Sequence, residues 1–130
     1  MAYTTINKST DYFNTKLYTG TGSSNAVTGV GFQPDWVWVK NRTGTNNHRM
    51  ANAVSGSSEV HSSNITNVGA DSSYFSSFNS DGFTIGTAAD TNVNGGSFAS
   101  WNWKANGAGS ANTSGSISST VSANTTSGFS

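Results

Sequence analysis

No cysteine occurs in this chain, proline occurs once, at Pro34, and charged residues make up only 9% of it. The first absence excludes disulfides and thiolate chemistry and leaves the redox compartment open. The scarcity of charge, six basic against six acidic residues, argues against general nucleic-acid binding, which depends on neutralising many phosphates. It also leaves little repulsion between copies, so self-association is permitted. Long apolar runs are missing as well. Met1 to Gly20 carry no signal-like segment and no stretch approaches membrane-spanning length, so neither a secretory leader nor membrane insertion is expected.

More than half of the chain is Ser, Thr, Asn or Gly, a bias that can accompany disorder. Against disorder stands an aromatic content of 12%, gathered into strand-like runs. All four tryptophans lie in two of these, Trp36-Val37-Trp38-Val39-Lys40 and Phe98-Ala99-Ser100-Trp101-Asn102-Trp103-Lys104. Within each run the tryptophans are two residues apart, so in an extended strand both indoles leave the same face.

Helical periodicity is nearly absent. Alternating or short apolar runs predict strands at about Tyr12–Tyr18, Trp36–Asn41, Met50–Val54, Tyr74–Phe78, Phe83–Gly86, Phe98–Lys104 and Ile117–Val121. Turn chemistry separates them at Thr19-Gly20-Thr21-Gly22, Asn79-Ser80-Asp81-Gly82, Asn94-Gly95-Gly96 and Asn106-Gly107. Short strands without helices predict one all-β domain over residues 12–130, an antiparallel two-sheet β-sandwich of jelly-roll type. Residues 1–11 are expected to be a flexible N-terminal segment, and Asn106–Gly115 a mobile loop. The Trp36–Lys40 strand is apolar on both faces, as for a strand covered on both sides or facing a partner subunit. In the second run Ala99, Trp101 and Trp103 form the face expected to be buried, and Phe98, Ser100, Asn102 and Lys104 the mostly polar one. Gly-Phe recurs at residues 31–32, 82–83 and 128–129. The last of these reads as a short final strand or as one completed by another copy.

The run Tyr18-Thr19-Gly20-Thr21-Gly22, then Gly31-Phe32-Gln33-Pro34-Asp35-Trp36-Val37-Trp38-Val39-Lys40, is similar to a known pattern. So are Phe78-Asn79-Ser80-Asp81-Gly82-Phe83-Thr84-Ile85-Gly86 and Trp101-Asn102-Trp103-Lys104. Together they resemble an uncharacterised domain family common in structural and hypothetical proteins of marine tailed bacteriophages. The likeness extends from about Tyr12 to Ser130. It departs from the family where His48-Arg49 is followed by Met50-Ala51-Asn52 instead of a Phe-Asp…Arg-Gly element. Some members carry the domain in tandem, whereas a single copy is expected here. The resemblance implies a virion protein made in the bacterial host cytoplasm.

No enzyme motif stands out: there is neither a G-x-S-x-G nor a phosphate-binding glycine loop, and His48 and His61 lie in apparent loops without a neighbouring carboxylate. Asp90, Asn92 and Asn94, followed by Gly95, match the first half of a calcium loop, but Trp101 stands where the bidentate glutamate belongs. An ordinary Asx turn explains the same residues, so no cofactor is expected, with calcium the alternative. Trp36, Trp38, Trp101 and Trp103 are expected in the core or a subunit interface rather than on an open sugar platform. Tyr3, Tyr12 and Tyr74 are the weaker candidates for exposed stacking. Lys40, Arg42 and Arg49, with His48 between them, form a local cationic stretch that suits an anionic partner. Five N-x-S/T sequons follow from composition alone.

The function expected is therefore a non-enzymatic phage virion structural protein at the particle surface: a decoration, knob or fibre-associated subunit. It would assemble with its own copies and with other virion proteins. One alternative is a carbohydrate-binding adhesin reading a host surface glycan. Another is a filament or lattice subunit that exchanges its C-terminal strand.

Overall fold

A computed structural model describes residues 6–66 and 69–130. After a 3₁₀ turn at Ser9–Asp11, the chain forms β1 (Phe13–Thr19), β2 (Asn25–Thr28), β3 (Trp36–Asn41), β4 (Arg49–Asn52), β5 (Gly56–His61) and β6 (Gly69–Ala70). Then come β7 (Phe75–Asn79), β8 (Gly82–Ile85), a single helical turn α1 (Ala89–Asn92), β9 (Ser97–Trp103), β10 (Ser110–Asn112) and β11 (Ser119–Val121). One sheet has the order β1-β9-β3-β4-β5-β6, a second the order β2-β8-β7, and β10-β11 form a separate ribbon. All pairings are antiparallel.

The all-β antiparallel sandwich expected from the sequence is what the chain forms. Its sheets hold six and three strands, against the eight strands in two Greek keys of a jelly roll. Val37, Val39, Ala51, Val60 and Phe98 come from the larger sheet, and Val27, Phe75, Phe83 and Ile85 from the smaller; together they make the core. Burying these side chains between two layers is the main stabilising term. Aromatic geometry adds to it: Tyr18 stacks on Phe98 with centroids 5.1 Å apart, and Phe75 meets Phe83 at 6.0 Å.

Several strand expectations shift. β2 and β5, rich in Asn, Ser and Thr, carry little alternation and were not anticipated. Asn106–Gly115, expected as a loop, contains β10, which pairs Ser110 with Val121 and Asn112 with Ser119. The expected strand over Ile117–Val121 starts later, at Ser119, and Ile117 is exposed. Within the anticipated flexible N-terminus, residues 1–5 lie outside the described residues, while Lys8 and Asp11 form an exposed ion pair at 3.2 Å. The Phe129 carbonyl accepts the Asn124 N–H within the same chain at 2.8 Å, so the last Gly-Phe closes a local hairpin.

The hairpin between β7 and β8 turns through Ser80 and Asp81, and both ends of that turn are fixed. Gly82 has φ +146°, and a Cβ there would land on the Val27 carbonyl of the neighbouring strand. The Asp81 carboxylate accepts the N–H groups of Gly29 (2.9 Å) and Gly31 (2.6 Å), tying the β2–β3 connection to the turn. These two bonds hold the Asp81 carboxyl below the ordinary carboxylate range. Gly82→Ala combines a strained φ with a backbone clash. It is expected to destabilise the fold by about 3 kcal/mol or more, read as a lower urea midpoint.

Candidate functional site

The register of β3 on β9 sets the site. Trp36 lies opposite Trp103 and Trp38 opposite Trp101, while β1 adds Phe13 opposite Trp103 and Thr15 opposite Trp101. Because side chains alternate, all these residues share one face, and Val37, Val39, Phe98, Ser100 and Asn102 share the other. The second sheet covers the valine face. The tryptophans therefore occupy the outer face of the six-stranded sheet, each of them half-buried.

This corrects one expectation and removes the core half of another, which put the tryptophans in the core or a subunit interface. The indoles are not core, and in β9 the polar face is the buried one: Ser100 and Asn102 are both 0% exposed. Their polarity is absorbed by the backbone of β1. Asn102 Nδ2 donates to the Asn14 carbonyl at 3.0 Å and to Ser100 Oγ at 3.1 Å, and Ser100 Oγ reaches the Lys16 carbonyl at 3.4 Å. Asn102 Oδ1 is left buried without a hydrogen-bond partner among the described residues.

On the outer face the rings form a row. Trp36 and Trp103 stack with centroids 5.0 Å apart, and Phe13 tilts against Trp103 at 5.0 Å. Phe129, brought in by the terminal hairpin, stacks on both Trp36 (5.8 Å) and Trp103 (6.0 Å). Trp38 contacts Trp101 at 5.8 Å and His48 at 5.7 Å. Beside the row lies a cleft of about 470 Å³ between the sheet and the β10–β11 ribbon. Trp36, Met50, Val54 and Phe129 supply apolar walls, and Asn52 and His61 add polar groups. Its volume falls in the range of small-molecule pockets, about 300–1,000 Å³.

The cationic residues separate. Arg49 is 5% exposed and points into the sandwich end, not outward to a partner. Its Nε and Nη2 reach Asp90 Oδ2 at 2.8 and 2.7 Å, Nη1 donates to Ser62 Oγ at 2.6 Å, and the guanidinium lies 4.3 Å from the Tyr74 ring centroid. Lys40 Nζ donates to the Asn46 carbonyl at 2.6 Å. Arg42 is the one of the three whose side chain is exposed. Tyr74, expected as an exposed stacker, is half-buried beneath Arg49, Tyr12 is also half-buried, and Tyr3 lies outside the described residues.

The three residues of the calcium pattern face different partners. Asp90 takes Arg49 and Asn46. Asn92, fully buried at the end of α1, accepts the Thr21 N–H on Oδ1 at 2.8 Å and donates to the Ser23 and Gly86 carbonyls. Asn94 is exposed beside Gly22. Of these oxygens, Asn92 Oδ1 straps the Thr21–Asn25 loop and those of Asp90 hold Arg49 and Asn46. Among the described residues, no group of three or more His, Cys, Asp or Glu is placed to hold a metal.

His48 closes one end of the tryptophan face. Its Nδ1 accepts the Trp38 indole N–H at 3.1 Å, so the neutral imidazole carries its proton on Nε2. Desolvation, and secondarily the Lys40 charge, push its pKa below the ordinary 6.5.

The arrangement defines a class: an antiparallel β-sandwich that presents an aromatic sheet face with an adjoining cleft. The chain belongs to the DUF7483 family, a domain of unknown function whose model matches residues 8–130. No curated protein and no solved structure matches it.

Two measurements test this geometry. Arg49→Ala strands the Asp90 carboxylate and the Tyr74 and Ser62 hydroxyls, so it should cost about 3 kcal/mol in chemical denaturation. The Arg49→Ala/Asp90→Ala double variant should cost less than the sum of the two single changes. For His48, both folded and unfolded chains are neutral above pH 6.5. As the pH falls through that value the unfolded chain takes up the proton first. Stability therefore declines on acidification and levels off once folded His48 is protonated. The melting temperature should fall between pH 7.5 and pH 5 together with a change in tryptophan emission, and His48→Gln should flatten both.

Proposed function

We propose that this chain is a non-enzymatic structural protein of a tailed-phage virion, displayed on the particle surface as a decoration, knob or fibre-associated subunit. It works by adhesive contact through the outer face of its larger sheet. The observation that carries the reading is the placement of Trp36, Trp38, Trp101 and Trp103, with Phe13, on the side of the sheet away from the core. Half-exposed indoles in a row are costly to keep against water and are the residues most enriched at binding hot spots. Three of the groups that could do acid–base work are engaged in holding the fold: Asp81 caps the β2–β3 connection, Asp90 clamps Arg49 and His48 holds Trp38. The phage setting rests on the resemblance of the Gly31–Lys40 and Trp101–Lys104 motifs.

A second reading, a carbohydrate-binding adhesin, is favoured by the cleft beside Trp36 and Phe129. Its aromatic walls and its Asn52 and His61 groups suit the CH faces and hydroxyls of a neutral sugar, and no lysine or arginine lines it.

One experiment separates the two. Wild-type protein, Trp101→Thr and Phe129→Ala are added back to particles lacking the protein, and each is titrated with neutral oligosaccharides while tryptophan emission is followed. The assembly reading expects Trp101→Thr to lose about tenfold in particle affinity, roughly 1.4 kcal/mol. Full occupancy by that variant rejects it. A saccharide response abolished by Phe129→Ala would establish the adhesin reading in its place.

A further inference from the structure

We propose that two copies of this chain join through the free edge of β1, antiparallel and centred on Thr15, so that their six-stranded sheets become one continuous sheet. The proposal deepens the assembly reading above by naming the partner, a second copy, and the surface it uses.

Among the described residues β1 is the first strand of its sheet and pairs only with β9. At seven residues it is longer than the opposite edge strand β6, of which two residues are described. The register fixes which backbone groups face outward. The Lys104 N–H donates to the Tyr12 carbonyl at 2.8 Å, and Phe13 lies opposite Trp103. In an antiparallel ladder every second residue points its N–H and C=O at the partner. Tyr12, Asn14, Lys16 and Tyr18 therefore face β9, in accord with the Asn14 and Lys16 carbonyls also taking bonds from Asn102 and Ser100. Phe13, Thr15 and Leu17 turn their backbone groups away from the sheet.

The same three residues carry exposed side chains. Leu17 is 63% and Phe13 36% exposed, and both lie on the outer, tryptophan-bearing face. A two-fold axis through Thr15 sets Phe13 against Leu17 of the partner and Thr15 against its own counterpart. Each of the three then exchanges both backbone hydrogen bonds with its opposite, and the two exposed apolar side chains cover one another. Asn14 falls opposite Lys16 of the partner, so no like charges meet. A register shifted by two residues would leave Leu17 or Phe13 uncovered.

Of the devices that usually blunt an edge, β1 carries one, an inward-turned lysine. It has no proline and no bulge, and no charge points outward on its exposed face. The one charged residue, Lys16, is drawn inward to the Gly29 carbonyl at 3.3 Å.

The absence of cysteine makes the test clean. In a hydrogen-bonded antiparallel pair the opposing Cα atoms are about 5.5 Å apart, within the span a disulfide bridges. Thr15→Cys in the full chain should form a disulfide-linked dimer under mild oxidation at least about tenfold faster than Ser119→Cys, an exposed control on β11. In light scattering the wild type should have the mass of a dimer. Thr15→Pro, which removes an N–H that no described residue accepts, should halve that mass with circular dichroism and tryptophan emission preserved. Leu17→Lys supplies a second variant should proline disturb the strand. A wild-type monomer, a dimer that survives Thr15→Pro and Leu17→Lys, or crosslinking no faster than the control each overturns the proposal. If Trp101→Thr lowers particle affinity while the edge variants leave the mass unchanged, the edge pairing falls and the assembly reading stands.

Discussion

The pairing of β3 with β9 is the constraint from which the rest follows. With Trp36 opposite Trp103 and Trp38 opposite Trp101, side-chain alternation leaves only two arrangements: indoles inward and valines outward, or the reverse. The smaller sheet settles the matter. Phe75, Phe83, Ile85 and Val27 already fill the interlayer space, and small β-branched Val37 and Val39 fit opposite them at close-packed density. Four indoles on the same side would overfill a layer so thin. The large rings are therefore placed where volume is unconstrained, and there they meet water or a partner.

Polar residues then do the work that a larger apolar core would do elsewhere. With so much Ser, Thr and Asn, the sandwich cannot be closed at its ends by hydrophobic caps. Two clamps take that role. Asn92 gathers the Thr21 N–H and the Ser23 and Gly86 carbonyls, and Arg49 gathers Asp90, Ser62 and Tyr74. Both are nearly dry, so their bonds are strong and the loss of any member leaves unsatisfied groups. The short α1 carries Asp90 and Asn92, and one helical turn thereby serves both clamps. The buried Asn102 Oδ1 marks where this strategy falls short of complete satisfaction.

How far these features could be read in advance depends on whether they are local. The Trp-x-Trp spacing gave the strands and the shared face of each pair, because period two is a local property. It could not say which face was inside, since that depends on the volume of a sheet donated by residues 25–28 and 75–85. The reading of Ser100 and Asn102 as solvent-facing failed for the same reason: carbonyls of β1, more than eighty residues away in sequence, satisfy them. Arg49 looked like part of a cationic loop, because its partner Asp90 lies forty-one residues further on. The Asp90–Asn94 pattern reads as turn or as ion site, because the distant partners of Asp90 and Asn92 do not show in the local sequence. β2, β5 and β10 escaped notice because their outer faces are polar and their inner contributions few, which flattens the alternation that marks a strand. Each has a glycine at one end, Gly29, Gly56 and Gly109, and all three adopt positive φ.

The site and the free edge lie on the same sheet, and this has a geometric consequence. A two-fold axis relating antiparallel edge strands stands perpendicular to the sheet, so it preserves which face is which. Two copies joined at β1 would present their tryptophan rows on the same side, offset across the axis. Each row alone offers a modest area of half-buried rings, enough for weak contact. Held rigidly in one sheet, the second row engages at high effective concentration once the first has bound, provided the opposing surface repeats with matching spacing. A regular particle surface does repeat in this way, whereas a single soluble ligand does not. The proposed edge pairing and the aromatic outer face would thus serve the proposed assembly role together: many weak contacts to a periodic surface, made strong by rigid duplication.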